Sequence, residues 1–416
     1  MMVSLIARRG MMTGTACGLL GATPASAMRM EGRRTPTIRI GVLTALSGDY
    51  TDPSGGGSVL AAQFAADDFV REHKPNFKVE VIAGDMQDKP EIGLSVARDW
   101  FDRDEVDMVT DMPNSAIALA VAGLAKERDK VAQIGAAASA ITGKACTPNS
   151  MQLAYSTKTL GASVGSAVLR DGGDSWFFIS ADYAFGQALV EDTSLVVQTA
   201  GGTVLGNARF PFPGNGDFSS FLLQAQTSGA KVVALASAGA DTTNAIKQAH
   251  EFGIGHGGQR LVSLLVLITN IHSLGLETAQ GLVYSDPFYW DMNDATRAFS
   301  ARFQPRWRDL KPTEDHAAVY AGALHYLKAV AAIGVDKAAS GRAVMQQMKA
   351  MPTDDPLFGS GSVRADGQML HDMYLWQVKS PAESQYPWDY CRKLATIPAA
   401  QAFASLSASA CPLVRL

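Results

Sequence analysis

The sequence predicts an α/β protein built from two parallel-sheet lobes. From Ile38 onward, short β-rich runs alternate with longer amphipathic runs, which is typical of βαβ units and a parallel sheet. The alternation is interrupted over residues 135–149 and then restarts. About 390 residues would remain after removal of an N-terminal leader, and this is more than one hydrophobic core usually serves. Together these observations favour two domains.

The first half of the chain carries four predicted strands and three predicted helices in alternation. Leu60, Phe64 and Phe69 have helical spacing, and Ser58 is the expected N-cap of their helix. The predicted elements are, in order, strand 38–43, helix 58–73, strand 78–83, helix 92–101, strand 106–109, helix 115–128 and strand 131–134.

The alternation that follows predicts a second lobe of similar size. Its elements are helix 159–170, strand 176–180, helix 186–200, strand 203–210, helix 218–227, strand 232–236, helix 242–252 and strand 261–267. Helices around 294–310 and 316–333 are expected to pack outside, and runs 361–363 and 373–378 are expected to be strands that finish a sheet.

The chain is expected to cross between the lobes three times, and multiple crossings form a hinge. The crossings are predicted near residues 153–156, 285–288 and 353–359. The predicted organisation is therefore a signal peptide over 1–27, an N-terminal lobe of 28–153 plus 288–353, and a C-terminal lobe and tail of 154–287 plus 354–416.

The N-terminal residues have the order of regions found in a secretory signal peptide. Arg8 and Arg9 precede an apolar stretch over 11–22, and residues 25–27 form a small-x-small cleavage site, so we expect cleavage after Ala27. The apolar stretch is too short to span a bilayer, which disfavours an uncleaved anchor. The paired arginines leave the export route open, and Cys17 lacks the sequence context of a lipoprotein.

The composition of the chain argues against nucleic acid as a partner. The formal net charge is −4, and no basic run is interleaved with aromatic residues. A small, weakly charged ligand fits this composition better, and we expect the protein to act as a monomer.

Three cysteines remain after removal of the leader. They are too few and too far apart for a zinc ribbon, and an exported chain is in a compartment where disulfides persist. Cys146 and Cys411 each follow alanine in a proline-containing, loop-like context, whereas Cys391 lies in a more regular stretch. We therefore favour a bridge between Cys146 and Cys411 and a free thiol at Cys391.

Two short patterns resemble catalytic motifs but lack the required context. Residues 161–165 match G-x-S-x-G, yet a serine nucleophile needs a sharp strand-to-helix turn, and Ser163 is inside a predicted helix. His250 and Glu251 begin like a zinc-protease helix, yet the second ligand position carries Ile254. The sequence therefore predicts no catalytic residue, no metal and no cofactor.

A glycine-rich turn at residues 54–58 follows the first strand and opens a helix. It has neither the Lys-Ser/Thr pair of a Walker loop nor the spacing of a dinucleotide fingerprint, so nucleotide binding is disfavoured. Two interpretations stay open. The turn is either a flexible connection with a cap or a loop whose backbone amides face a carboxylate.

Polar and aromatic residues follow several predicted strands, where ligands bind in open α/β sheets. Asn114-Ser115 follows strand 106–109 and residues 136–139 follow strand 131–134; each segment alone is more often only a helix cap. In the second lobe an aromatic pair follows strand 176–180, and Asp241 either caps its helix or contacts the ligand. The candidate ligand-binding residues are Tyr50, Asn114, Ser115, Ala137, Ser139, Tyr183, Phe185 and Asp241.

Taken together, these segments resemble the type I periplasmic-binding family of branched-chain amino acid importers, also called extracellular ligand-binding receptors. Each motif is loose alone, but their order and spacing over some three hundred residues are specific. The segments that carry the resemblance are residues 38–43, 46–48, 85–90, 114–115, 182–186, 217–220 and 281–282.

The resemblance implies two doubly wound lobes that close over a ligand, in a periplasmic protein that delivers a solute to the permease of an ABC importer. In that family the segments matching 114–115 and 136–139 hold the ligand carboxylate, and those matching Tyr183 and Phe185 form aromatic walls. In that family an acidic residue usually binds the amino group of the ligand. The matching segment falls near residues 264–270, where this sequence has no acidic residue.

This departure leaves two ligand classes open. Either Asp241 replaces the missing acid, or the ligand is a non-amino organic acid, aliphatic or aromatic. The alternative function is a ligand-binding sensor of the same fold, which the fold alone cannot separate from a transport protein. A serine hydrolase is disfavoured because Ser163 is its only candidate nucleophile.

Overall fold

The computed structural model describes residues 35–255 and 258–414. The predicted signal peptide over residues 1–27 lies outside these ranges. Within them, no helix combines the length and the apolar character needed to cross a membrane.

A first α/β lobe begins at β1, close to the predicted start. Its elements are β1 (Thr37–Thr44), α1 (Gly55–His73), β2 (Lys78–Asp85), α2 (Pro90–Asp102), β3 (Met108–Asp111), α3 (Ser115–Glu127), β4 (Val131–Ile134) and β5 (Ser150–Gln152). The five strands form one parallel sheet in the order β2-β1-β3-β4-β5. Ile40 in β1 pairs with Val81 in β2 and Met108 in β3. Ile40 and Met108 are fully buried, as expected for a parallel sheet covered on both faces.

A second α/β lobe follows, as predicted. Its elements are α4 (Thr157–Arg170), β6 (Ser175–Ala181), α5 (Ala184–Thr199), β7 (Thr203–Phe210), α6 (Ser219–Thr227), β8 (Val232–Ala236), α7 (Gly239–Glu251), β9 (Arg260–Ser263), α8 (Ile268–Leu274), α9 (Leu276–Ala279) and β10 (Val283–Asp286). Strands β6 to β9 form a parallel sheet in the order β7-β6-β8-β9. Trp176 in β6 is fully buried, and its indole Nε1 donates to Gly173 O at 2.8 Å.

The predicted strand over 261–267 is wrong in its second half, because β9 ends at Ser263 and α8 starts at Ile268. Asn270 fixes this turn. Its Nδ2 donates to Gly239 O at 2.9 Å, and its Oδ1 accepts from Leu267 N at 2.9 Å. The prediction is wrong because a short apolar run has no periodicity that would distinguish a buried strand from a buried loop that leads into a helix.

The rest of the chain adds outer helices and two antiparallel sheets. The elements are α10 (Asp294–Phe303), α11 (Glu314–Ile333), α12 (Val335–Ala338), α13 (Gly341–Ala350), β11 (Pro352–Asp355), β12 (Gly359–Val363), β13 (Met369–Leu370), β14 (Met373–Val378), β15 (Cys391–Ile397) and α14 (Ala399–Ala402). The sheets have the orders β11-β12-β13 and β10-β14-β15.

Helix α11 joins the first lobe through polar contacts as well as apolar packing. The Tyr320 hydroxyl donates to Asp68 Oδ2 of α1 at 2.9 Å, and Lys328 Nζ donates to Asp354 O of β11 at 2.7 Å. The segment 353–359, where the third crossing is predicted, therefore contains a strand held against α11. The lobe boundaries at residues 153, 288 and 353 stay a prediction.

The predicted N-cap at Ser58 is wrong, because α1 begins three residues earlier with Ser54 at the N-cap position. The Ser54 hydroxyl donates to Asp111 Oδ2 at 2.6 Å. A Cβ added at Gly57 would lie 2.3 Å from His316 Nε2 of α11, so the glycine permits close approach of the two helices. This packing accounts for Gly57, which lies inside α1 and not in a flexible turn, while binding of a carboxylate at this helix start stays a prediction.

The predicted disulfide between Cys146 and Cys411 is confirmed, with Cα atoms 5.6 Å apart. Cys391 is free and buried. The tail after β15 returns to the loop over 135–149, where the Ser409 hydroxyl donates to Thr142 O at 3.4 Å. The bridge therefore ties a segment that leaves the β10-β14-β15 sheet to the first lobe.

Candidate functional site

A cavity of about 30 Å³ lies where the carboxyl ends of the two parallel sheets meet. Almost every lining residue lies in a segment that follows a strand. The first lobe contributes the segments after β1, β3, β4 and β5, and the second lobe those after β6, β8 and β9. This is where open α/β sheets bind ligands. The lining residues are Tyr50, Pro113, Gly135, Ala136, Ala137, Tyr155, Tyr183, Phe185, Ala238, Leu265, Leu267 and Asp315.

Aromatic residues from both lobes close over this cavity. The Tyr50 hydroxyl of the first lobe and the Tyr183 hydroxyl of the second are joined by a hydrogen bond. The Tyr183 ring stacks on Phe212 with centroids 4.2 Å apart and planes inclined by 22°, and Phe212 also contacts Tyr50, at 5.7 Å. The volume of about 30 Å³ holds about two water molecules, so a larger ligand requires the lobes to move apart.

Four of the predicted ligand-binding residues line the cavity, namely Tyr50, Ala137, Tyr183 and Phe185. Tyr183 is the N-cap residue of α5, and its extended backbone directs the chain into the helix immediately after β6. Within the described ranges, the amide N–H groups of Ala136 and Ala137 donate no hydrogen bond. Two free donors beside small side chains leave room for an acceptor on a ligand.

Asn114 and Ser115 are buried behind the cavity and do not line it. The Asn114 Oδ1 accepts from Ala116 N at 3.0 Å and Ile117 N at 3.3 Å, which makes it the cap of α3. The Ser115 hydroxyl accepts from Ala138 N at 3.3 Å. Both residues hold the loops that form the site, and direct ligand contact by either stays a prediction.

Ser139 and Asp241 also lie outside the cavity lining. Ser139 N donates to Thr157 Oγ1 at 3.0 Å, next to the crossing into α4. The Asp241 carboxylate accepts from Gly214 N at 2.9 Å. Asp241 is not the N-cap of α7, which is Ala238, so the capping interpretation is wrong.

Eight lining residues are not among the predicted ligand-binding residues: Pro113, Gly135, Ala136, Tyr155, Ala238, Leu265, Leu267 and Asp315. Tyr155 falls in a predicted crossing, and Leu265 and Leu267 fall in the segment where the resembled family carries an acid. Asp315 is in the first turn of α11, where an acid ordinarily complements the helix dipole, so its sequence position gives no sign of a site.

Asp315 and its neighbours make this part of the cavity strongly acidic. The Tyr155 hydroxyl donates to Glu314 Oε1. Burial, followed by the charge of Glu314, raises the pKa of Asp315 well above its usual range, and burial also raises the pKa of Glu314. Even so, no group of His, Cys, Asp and Glu in the described ranges is arranged to hold a metal ion.

The position of Ser163 inside α4 is confirmed, and its hydroxyl is buried without a hydrogen-bond partner. A nucleophilic serine needs a base within hydrogen-bond reach and an exposed turn. Among the described residues, neither requirement is met at Ser163.

Two acidic residues, Asp49 and Asp241, meet where the lobes contact each other outside the cavity lining. Asp49 Oδ2 of the first lobe accepts from Asp241 N at 3.4 Å, and Asp49 O accepts from Ala240 N at 3.4 Å. Burial, then the charges of Asp241 and Asp88, raises the pKa of Asp49 to about 7. In an open form, where water reaches Asp49, its pKa would return towards about 3.9.

We therefore expect closure to weaken as the pH rises from about 4 to about 7 and to change little above that. Between these values the closed form holds a proton on Asp49 that the open form has already lost, so closure is most favourable below the pKa of the open form and loses this contribution as the pH rises to about 7. Small-angle scattering and solute affinity measured across this range test the expectation. Asp49→Asn should flatten the dependence; an unchanged slope in that variant would assign it to other groups.

Comparison with known proteins places this fold and cleft in a family. The model of the periplasmic binding protein family matches residues 37–384. A periplasmic binding protein from Burkholderia mallei is 44% identical, with a TM-score of 0.86, over 91% of this chain and 99% of that chain. A branched-chain amino acid ABC transporter periplasmic ligand-binding protein from Burkholderia xenovorans is 38% identical, with a TM-score of 0.79, over 91% of this chain and 100% of that chain.

More distant structures share the fold alone. One is a solute-binding protein of an ABC transporter from Rhodopseudomonas palustris in complex with 3,4-dihydroxybenzoic acid, at 19% identity and a TM-score of 0.75 over 87% and 98% of the two chains. Among proteins with curated functional descriptions, no significant match was found. The family match over most of the chain, together with two parallel-sheet lobes that meet at a cleft, shows that this chain belongs to the type I periplasmic binding proteins.

Proposed function

We propose that this protein is the substrate-binding component of an ABC importer and captures a small organic solute between its lobes by hinge closure. The observation that carries the proposal is the contact between Tyr50 and Tyr183 across a cavity at the carboxyl ends of both sheets. A ligand enclosed there loses its contact with water, which strengthens each hydrogen bond it makes. The partner is a membrane permease, and the protein acts as a monomer in the periplasm.

The chemistry of the cavity supports a solute that carries a carboxylate, either an amino acid or an aliphatic or aromatic acid. The free amides of Ala136 and Ala137 are suitable donors to a carboxylate, and a charge-assisted hydrogen bond is stronger than a neutral one. Leu265, Leu267 and Phe185 supply an apolar wall. The description of the Burkholderia xenovorans relative, a ligand-binding protein of a branched-chain amino acid transporter, also favours this class.

Native mass spectrometry tests the proposal. The protein, purified from the periplasm without refolding, should carry a small molecule that appears as a discrete mass difference and is released on denaturation. Tyr183→Ala should lose most of it, because that variant removes the aromatic contact over the cavity. Wild-type protein that carries no solute and shows no thermal stabilisation by any metabolite fraction would contradict solute binding.

The export step has its own test. The signal peptide over residues 1–27 should be cleaved, so N-terminal sequencing of periplasmic protein should begin at Met28. Protein that keeps Met1 and stays in the cytosol would contradict the periplasmic location.

A further inference from the structure

The cavity contains one charged side chain that has no partner. Of the described residues that line it, only Asp315 is charged, and it is partly buried. No described residue donates a hydrogen bond or forms an ion pair with its carboxylate, although Thr313 and His316 beside it are bonded to each other. An acceptor that is partly removed from water and has no protein donor costs free energy, and a ligand that supplies a donor on closure would offset this cost.

The neighbours of Asp315 make this cost larger. Glu314, Asp111 and Asp286 are the groups whose charges act on Asp315, and each of them is also an acid. Glu314 Oε2 is buried without a hydrogen-bond partner, and its residue is 1% exposed. No cation from the described part of the chain offsets these carboxyl groups, and a positive charge brought by a ligand would do so.

The other walls of the cavity suit a cation as well. Tyr50, Tyr155, Tyr183 and Phe185 line the same space as Asp315. The faces of aromatic rings attract ammonium groups, and the attraction grows when water is excluded. An ammonium group has three donors, so one hydrogen bond to the carboxylate leaves two donors for tyrosine hydroxyls.

We propose that Asp315 binds a protonated amino group of the solute, so that the solute is an amino acid or another organic amine and not a plain anion such as benzoate. This inference rests on the proposed function. It assigns amine recognition to the first turn of α11. The segment over 264–270 contributes only Leu265 and Leu267 to the cavity, and Asp241 lies outside it.

Amine binding at Asp315 has a proton signature. Without ligand, burial and the neighbouring acids raise the pKa of this carboxyl, which favours its protonated form. A bound ammonium group favours the ionised carboxylate, so binding should release up to about one proton per solute. Calorimetry in phosphate and in Tris, which differ in ionisation enthalpy, measures this release. A plain carboxylic acid held by the same cavity would release none.

The test uses matched compounds and two variants. The protein-building α-amino acids are each compared by calorimetry with the same compound lacking the amino group and the same compound lacking the carboxylate. At least one amino acid or amine should bind with proton release, and its deaminated partner should bind about ten- to a hundredfold more weakly. Asp315→Asn should remove this preference. Asp241→Asn, which changes an acid outside the cavity lining, should keep it.

A stability measurement separates binding from a structural role. Without ligand, Asp315→Asn should unfold at the same temperature as wild type or higher, because it removes repulsion from Glu314, Asp111 and Asp286. A lower unfolding temperature, or an amine preference that survives in Asp315→Asn, would overturn the inference. Tight binding of the deaminated acids alone would overturn it while solute binding stands. No binding by any member of the series would contradict the proposed function itself.

Discussion

Replacing Tyr183 by alanine should weaken solute binding by about 2 to 4 kcal/mol, which is about 30- to 1,000-fold in Kd. Tyr183 lines the cavity, stacks on Phe212 and bonds to Tyr50 of the opposite lobe. The variant therefore loses both a wall of the site and the central contact of the closed form. Calorimetry with the solute recovered from the native protein measures the effect.

Two further variants show which part of Tyr183 matters. Tyr183→Phe keeps the stacked ring and loses only the hydroxyl contact with Tyr50, so it should cost about 1 kcal/mol. Tyr386→Ala removes a surface tyrosine that is 48% exposed and does not line the cavity, so its affinity should match wild type. Wild-type affinity in Tyr183→Ala would mean that the cleft lies on other loops.

Replacing Cys411 by serine should lower the free energy of unfolding by about 2 to 5 kcal/mol. Cys146 and Cys411 are 265 positions apart in sequence, so their bridge closes a long loop and restricts the unfolded chain strongly. The same variant frees the tail that follows β15. Denaturant unfolding under non-reducing conditions measures the loss, and a reducing agent should produce the same loss in wild type.

Cys391 provides the matched control for that variant. Its thiol is buried and unbridged, with the sulfur 3.3 Å from the Tyr284 hydroxyl. Cys391→Ala should cost only about 1 kcal/mol, and its stability should still fall when the bridge is reduced. An unchanged unfolding midpoint in Cys411→Ser would show that the bridge does not stabilise the folded chain.

The fold follows from the sequence wherever one period dominates over a whole element. The alternation of strands and helices predicts both parallel sheets, and β14 matches its predicted range of 373–378. Prediction from the sequence fails where tertiary packing decides which residue is used. The sequence suggests that Gly57 belongs to a flexible turn, yet the residue lies inside α1. Glycine is needed there because His316 occupies the space that a side chain would fill.

The candidate site could be predicted only in part, for a similar reason. Ala137, Tyr183 and Phe185 directly follow strands, and the carboxyl edge of a parallel sheet is where ligands bind. Asp315 gives no such signal, because an acid in the first turn of a helix usually serves the helix dipole. Only the tertiary arrangement places it in the cavity, where no lysine or arginine of the described residues lies in the lining.

Closure of the two lobes around a solute is the central claim, and a distance measurement between the lobes tests it most directly. Spin labels at Glu91→Cys on α2 and Ser220→Cys on α6 are on exposed positions of opposite lobes, and the three cysteines of the described residues are bridged or buried. Adding the solute recovered from the native protein should shorten and narrow the distribution of label distances, and Tyr183→Ala should reduce this change. A distribution that stays the same at saturating solute would contradict the account.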